Sequence, residues 1–199
     1  KKIILRLDLN VPLKDKIIQD DTRISLCLPF IKKLVEKKAK IVIVSHLGRP
    51  KGTKVPELSL IPVYKYLKKS IRTNVYFFMG NLDDEVQDKF SHLKEGEIIL
   101  LENIRYFKEE SNDDENFSKK LGSLGDIYIN DAFSCSHRKH ASIHNITKFV
   151  KYSYAGPLLK KEVEAINLVI QNKKEPVTCI IGGSKISTKI NVISSLIEK

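Results

Sequence analysis

The sequence predicts an α/β fold: a doubly wound, largely parallel sheet with helices on both faces. Three observations predict it. Short apolar runs rich in β-branched residues recur along the chain. Segments with apolar residues at helical spacing separate them. Polar residues gather just after the apolar runs, where an open α/β sheet binds its ligands.

Each element follows from its residues. Ile3–Leu9 is apolar and β-branched and reads as a strand. Ile24, Leu28, Ile31, Leu34 and Val35 share one face of a helix over 24–37, with Thr22 or Asp21 as its cap. Ile41–Ser45 is a second strand. His46–Pro56 holds Gly48, Pro50, Gly52 and Pro56 and is a loop. A helix over 60–69 leads to a strand over 74–78, and a short helix over 83–91 to a strand over 97–101. Residues 116–124 read as a helix, 126–130 as a strand and 131–140 as a polar loop. The stretch around Lys151–Pro157 is the best candidate domain edge. Leu158, Leu159, Val163, Ile166 and Ile170 line one face of a helix over 158–171. A strand over 177–181 then runs into Gly182-Gly183, and a helix covers 188–199. No repeat of fixed period and no low-complexity tract interrupts this order.

Composition bounds the class. The chain has 199 residues and is 42% hydrophobic, enough to bury a core and too apolar for intrinsic disorder. Its apolar runs fall far short of the ~20 residues of a bilayer span. Arg6 and Asp8 break the first apolar stretch, so no signal peptide is read there. Cys27, Cys135 and Cys179 form no close pair, which fits a reducing, cytoplasmic setting. The first residue is Lys and the last helix leads nowhere, so a fragment is expected.

The formal net charge of +11 implies anionic partners. Much of the Lys lies in pairs on helices, such as Lys32-Lys33 and Lys119-Lys120, and reads as solvated surface. The Arg residues are placed differently. The strand ends carry Asp8 and Asn10; Ser45, His46, Gly48 and Arg49; Glu102, Asn103 and Arg105; and Asn130 and Asp131, with His137, Arg138 and His140 shortly after. Arg23 starts the first helix and faces the same edge. Arg supplies a planar fork for carboxylate and phosphate, where Lys supplies a point charge. Arg23, Arg49, Arg105 and Arg138 on one edge therefore point to a small, multiply anionic ligand. The turn Gly182-Gly183-Ser184-Lys185, with Lys189, suits a phosphate at a helix N-terminus but matches neither nucleotide fingerprint.

Six segments carry a more specific signal: Arg6-Leu-Asp8-Leu-Asn10-Val-Pro12, Asp21-Thr-Arg23-Ile24, Ser45-His46-Leu47-Gly48-Arg49-Pro50, Leu101-Glu102-Asn103-Ile-Arg105-Tyr106, Asn130-Asp131-Ala132-Phe133 with His137-Arg138-Lys139-His140, and Gly182-Gly183-Ser184-Lys185-Ile-Ser-Thr-Lys189. In order and spacing they resemble phosphoglycerate kinase. The resemblance runs from residue 6 to about residue 190. It implies Rossmann-like domains, a glycolytic kinase of the cytoplasm, and reversible transfer of the acyl phosphate of 1,3-bisphosphoglycerate to ADP, giving 3-phosphoglycerate and ATP.

The resemblance further implies that residues 1–157 bind phosphoglycerate, 158–174 form an interdomain helix, and 175–199 begin a nucleotide-binding domain. Asp8, Leu9, Asn10, Arg23, His46, Leu47, Gly48, Arg49, Arg105 and Arg138 would surround 3-phosphoglycerate. Gly182, Gly183 and Lys189 would meet the nucleotide, bound as Mg-ADP or Mg-ATP with Mg²⁺ held mainly through it. Arg23, Lys185 and Lys189 would serve the transferring phosphoryl group. No metal ligand of the chain itself is implied. The family is roughly twice this length, so the chain alone is expected to turn over little, and the full-length protein to be a monomer. Ser134-Cys135-Ser136 stands where the family often has Gly-Thr-Ala. Asn145 stands where Gly is common, and Asn tolerates a left-handed backbone.

Two alternatives come from the same residues. Cys135, His137, His140 and His144 lie within ten residues and contain the donor types of a zinc site, although their spacing fits no standard finger. The net charge also suits nucleic acid, but no basic run is interleaved with aromatics for base stacking. Specific nucleic-acid binding and membrane association are therefore not expected.

Overall fold

The computed structural model describes residues 1–82, 84–171, 178, 180–182 and 190–197. The chain divides into two units, Lys1–Lys160 and Lys161–Lys199.

The first unit holds a six-stranded sheet whose paired strands are all parallel. In chain order its strands are β1 (Lys2–Leu7), β4 (Lys40–Val44), β5 (Val75–Phe78), β6 (Ile98–Leu101), β7 (Ile127–Asp131) and β8 (Tyr152–Ala155). A small antiparallel hairpin, β2 (Leu13–Lys14) and β3 (Ile17–Ile18), follows the first strand. The first unit's helices are α1 (Thr22–Glu36), α2 (Ile61–Ser70), α3 (Asp84–Ser91), α4 (Lys108–Ser111) and α5 (Glu115–Gly122), and α6 (Pro157–Gln171) begins in this unit and continues into the second. In the second unit α7 covers Ile190–Ile197, within the helix expected over 188–199. Of the strand expected over 177–181, residues 177 and 179 lie outside the described residues, as do Gly183, Lys185 and Lys189, and the described residues 178, 180 and 181 form no strand.

Successive side chains of a strand point to opposite faces, and this period of two builds two cores. Ile3, Leu5, Leu7, Ile41, Ile43, Ile98 and Leu100 pack with Ile24, Cys27 and Ile31 of α1 and with Val63 and Leu67 of α2. Ile4, Val42, Val44, Ile99, Leu101 and Tyr128 pack with Val86 and Phe90 of α3 and with Phe117 and Leu121 of α5. Covering both faces makes the central strands read as continuous apolar runs, as expected of a doubly wound sheet.

Some local readings change. Tyr152–Ala155, within the stretch read as a domain edge, is the sixth strand and pairs with β7. All four of its residues are exposed, so it carries no hydrophobic pattern to read. The hairpin turns at Asp15 and Lys16, both with positive φ, in place of the Asn-Gly that would have signalled it. Neither Asp21 nor Thr22 caps α1 by a side chain; Asp20 accepts the Thr22 N–H at 2.8 Å, and Asp21 accepts the Tyr66 hydroxyl. The left-handed residue near Asn145 is Asp113, held by Asn145 through Oδ1 and the backbone carbonyl.

The strand order is β5-β6-β4-β1-β7-β8. From β1 the chain moves to β4 on one side and later to β7 on the other. The order therefore reverses at β1, and a crevice opens beyond its carboxyl end. Asp8, His46 and Asp131 follow or end the three strands that border it.

Candidate functional site

The crevice is shaped by backbone held in place by side chains. Beyond the β1–β4 ladder, Ser45 Oγ donates to the Leu7 carbonyl at 2.8 Å and accepts the Leu9 N–H at 3.0 Å. Asn10 Oδ1 accepts the Gly48 N–H at 2.9 Å, and Asp8 Oδ1 accepts the Asn10 N–H at 3.1 Å. Gly48 has φ +59°, and a Cβ there would lie 2.6 Å from a Leu58 methyl carbon, so the loop needs glycine. Asn103 accepts the N–H groups of Leu47 and Arg105 and donates to the carbonyls of Leu47 and Leu58. Glu102 accepts Ser59 Oγ–H and the Leu60 N–H, which anchors the chain entering α2.

Cations converge on this frame. Arg6 is fully buried near the end of β1. Its Nη2 lies 3.0 Å from His46 Nδ1, and its Nε donates to Ser142 Oγ at 3.0 Å. Arg105 donates through Nη1 to the Gly48 carbonyl at 2.8 Å, while its buried Nη2 has no hydrogen-bond partner. Burial, with Arg138 and Arg6 nearby, lowers the Arg105 pKa. His46 is held down to about 2 by burial first and then by Arg6, Arg105, Arg138 and Arg23, so the ring is neutral. Arg23 pairs with Asp8, which also accepts the Ser134 hydroxyl.

Burial also raises the pKa of Asp131, although its Oδ1 accepts the N–H groups of Leu158 and Leu159 at 2.7 and 2.9 Å and caps α6. Gly156 leaves room for it, since a Cβ there would meet Asp131 at 2.4 Å.

The structure thus gathers Asp8, Asn10, Arg23, His46, Arg105 and Arg138 at one crevice, with Leu9, Leu47 and Gly48 supplying its backbone. Arg49 is exposed and makes no side-chain hydrogen bond or ion pair among the described residues. Two residues have a larger part in the crevice than the sequence predicts. By sequence Arg6 is a charge that breaks an apolar run, and its place inside a central strand is the available signal of its burial. By sequence Asn103 is a strand-end polar residue, and its four backbone bonds have no sequence signal.

Those bonds and ion pairs also separate the residues weighed as zinc ligands. Cys135 faces Arg6 and the Ala132 carbonyl, His140 faces Glu110, and His144 pairs with Asp113. Among the described residues no three His, Cys, Asp or Glu side chains converge on one point.

The sequence model described as phosphoglycerate kinase matches residues 1–199. The chain belongs to the phosphoglycerate kinase family. Over its whole length it is 49% identical to a phosphoglycerate kinase of Wolbachia pipientis, and 48% identical to phosphoglycerate kinase 1, chloroplastic, of Arabidopsis thaliana. It covers 50% and 41% of those proteins, so it spans about half the length of these relatives. The crystal structure of phosphoglycerate kinase from Pyrococcus horikoshii matches the whole chain with a TM-score of 0.88 at 29% identity, and 50% of that structure is covered. The Coxiella burnetii phosphoglycerate kinase matches with a TM-score of 0.86 at 37% identity and 49% coverage.

In the loop, each residue of Ser134-Cys135-Ser136 has a partner. Ser134 reaches Asp8, buried Cys135 lies against Arg6, and Ser136 accepts from Asn130 Nδ2 at 3.1 Å. Of the residues expected at a phosphoglycerate kinase nucleotide site only Gly182 is described. It is exposed, and a Cβ there would meet nothing within 4 Å. Among the described residues no helix is long and apolar enough to cross a membrane.

Proposed function

We propose that these residues form the phosphoglycerate-binding half of a phosphoglycerate kinase, which transfers the acyl phosphate of 1,3-bisphosphoglycerate to ADP. The observation that carries this reading is Arg105 Nη2, a buried charged donor without a partner, set among Arg6, Arg138 and a neutral His46. An unpaired buried donor is costly, and an anionic ligand relieves it. A carboxylate and a phosphate on one short carbon chain match two or more guanidinium forks.

Phosphoryl transfer asks the protein mainly for positioning and charge neutralisation. Arg105 and Arg138 hold the triose. His46, being neutral, donates a hydrogen bond without adding a charge. Asp8 aims Arg23 at the mouth of the crevice, where a charge develops on the moving phosphoryl group. Mg-ADP or Mg-ATP supplies the phosphoryl acceptor or donor, and Gly182, Gly183, Lys185 and Lys189 are its proposed contacts. A cytoplasmic location follows the same reading. A recessed cation cluster suits a small ligand better than a nucleic-acid backbone, which is met by exposed cations.

Calorimetric titration of the chain with 3-phosphoglycerate tests this, with inorganic sulfate as control at one fixed salt concentration. Saturable binding that sulfate does not reproduce is the expected result, weakened at least about tenfold by Arg138→Ala. Equal binding of sulfate, or an unaffected Arg138→Ala variant, overturns the reading.

A further inference from the structure

Arg6 has no exposed surface, and one chain of hydrogen bonds links it to an equally buried carboxylate. Glu110 accepts the Ser142 N–H at 2.8 Å through Oε2 and the Ser142 hydroxyl at 2.7 Å through Oε1. Ser142 Oγ accepts from Arg6 Nε at 3.0 Å. Arg6 Nη1 donates to the Leu7 carbonyl, and Nη2 meets His46 Nδ1 at 3.0 Å. Tyr128 fixes the far side of Ser142 by donating to its carbonyl at 2.7 Å.

The direction of every link follows from donor chemistry. Burial raises the Glu110 pKa, while Arg6, the two Ser142 bonds and Arg105 oppose that rise and favour the carboxylate; the ionised form only accepts, so the Ser142 hydroxyl proton is committed to Glu110. The lone pairs of Ser142 are then free for Arg6. A guanidinium only donates, so His46 Nδ1 must be the acceptor. The ring proton of the neutral imidazole therefore sits on Nε2. Glu110 also supplies the counter-charge that a buried guanidinium requires. His140 also faces Glu110, its Nδ1 3.7 Å from Oε1 and without a hydrogen-bond partner, and Arg105, Tyr128 and Cys135 lie close enough to feel the carboxylate's charge.

We propose that Glu110 is a positioning residue of the anion site: through Ser142 and Arg6 it holds His46 as the Nε2–H tautomer, the form that offers its donor to the ligand. The ligand's identity rests on the reading above, whereas the tautomer does not. A purely structural role for the buried Arg6–Glu110 pair predicts a change in stability on mutation but no change in the His46 ring.

The test is ¹⁵N NMR of the histidine rings in the ligand-free chain, with 3-phosphoglycerate titrations alongside. In the unsubstituted chain His46 is expected as Nε2–H, and to stay so from neutral to mildly acidic pH. Ser142→Ala breaks the link and is expected to bring in the Nδ1–H tautomer and weaken binding about tenfold. Ser142→Thr keeps the hydroxyl and restores both. Glu110→Gln replaces one acceptor by a donor and shifts the ring the same way as Ser142→Ala. An Nδ1–H or doubly protonated His46 in the unsubstituted chain overturns the proposal. So does an unchanged ring in either folded Ser142→Ala or Glu110→Gln. If neither variant folds, the unsubstituted ring alone decides. A ring that responds as expected in a chain that binds phosphoglycerate no better than sulfate supports this proposal and overturns the functional reading instead.

Discussion

Asn103 holds Leu47 by both of its backbone polar groups, accepting its N–H at 3.2 Å and donating to its carbonyl at 2.7 Å. A single buried side chain thus joins the end of β6 to the loop after β4, 56 residues away in sequence. Asn103→Ala would leave buried groups of Leu47, Leu58 and Arg105 unpaired. The expected cost is about 3 kcal/mol of stability. It is read as a lower urea midpoint at unchanged slope, together with weaker anion binding because Gly48 and Arg105 lose their frame.

Arg105→Met should separate function from stability. The substitution removes an unpaired charged donor from a cluster of like charge, at the expense of one bond to the Gly48 carbonyl. We expect a melting temperature equal to or above that of the parent, with phosphoglycerate binding lost. In the parent, ligand at a hundred times its Kd should add about 2.7 kcal/mol, and in Arg105→Met nothing. Differential scanning calorimetry with and without 3-phosphoglycerate reads both effects.

Acid should unfold the chain in part through His46. Its pKa falls from 6.5 to about 2 in the fold because of burial and the surrounding arginines. The unfolded state therefore takes up the proton first. Stability from this group is complete above pH 6.5 and is lost progressively as pH falls toward 2. By about pH 5 the loss from His46 alone is about 2 kcal/mol. His140, held at about 4 by burial and then by Arg105 and Arg138, adds a loss of the same sign. Urea midpoints at neutral pH and near pH 5 should differ less in His46→Gln than in the parent.

Much of this molecule was legible because its central strands are buried on both faces. Burial on two sides demands continuous apolar runs, and these mark β1, β4 and β6 without reference to any partner. Pairing along an edge makes no such demand, so the exposed Tyr152–Ala155 strand left no pattern. The crevice followed from the rule that ligands meet an α/β sheet beyond its strand ends, and the arginines there were visible as residue types out of keeping with a Lys-rich chain.

What the sequence determined alone was the alternation of strands and helices, the loops that bear the arginines, and membership of a family whose segments recur in order. Local periodicity and residue type encode these. The tertiary structure decided which polar groups end up without water. Whether Arg6 is a surface charge or a buried donor to His46, whether Asn103 is a loop amide or a four-bond clamp, and which nitrogen of His46 carries its proton all depend on residues 40 to 136 positions apart. Hydrogen bonds over such distances exist only once the chain has folded, and only then does burial give them their weight.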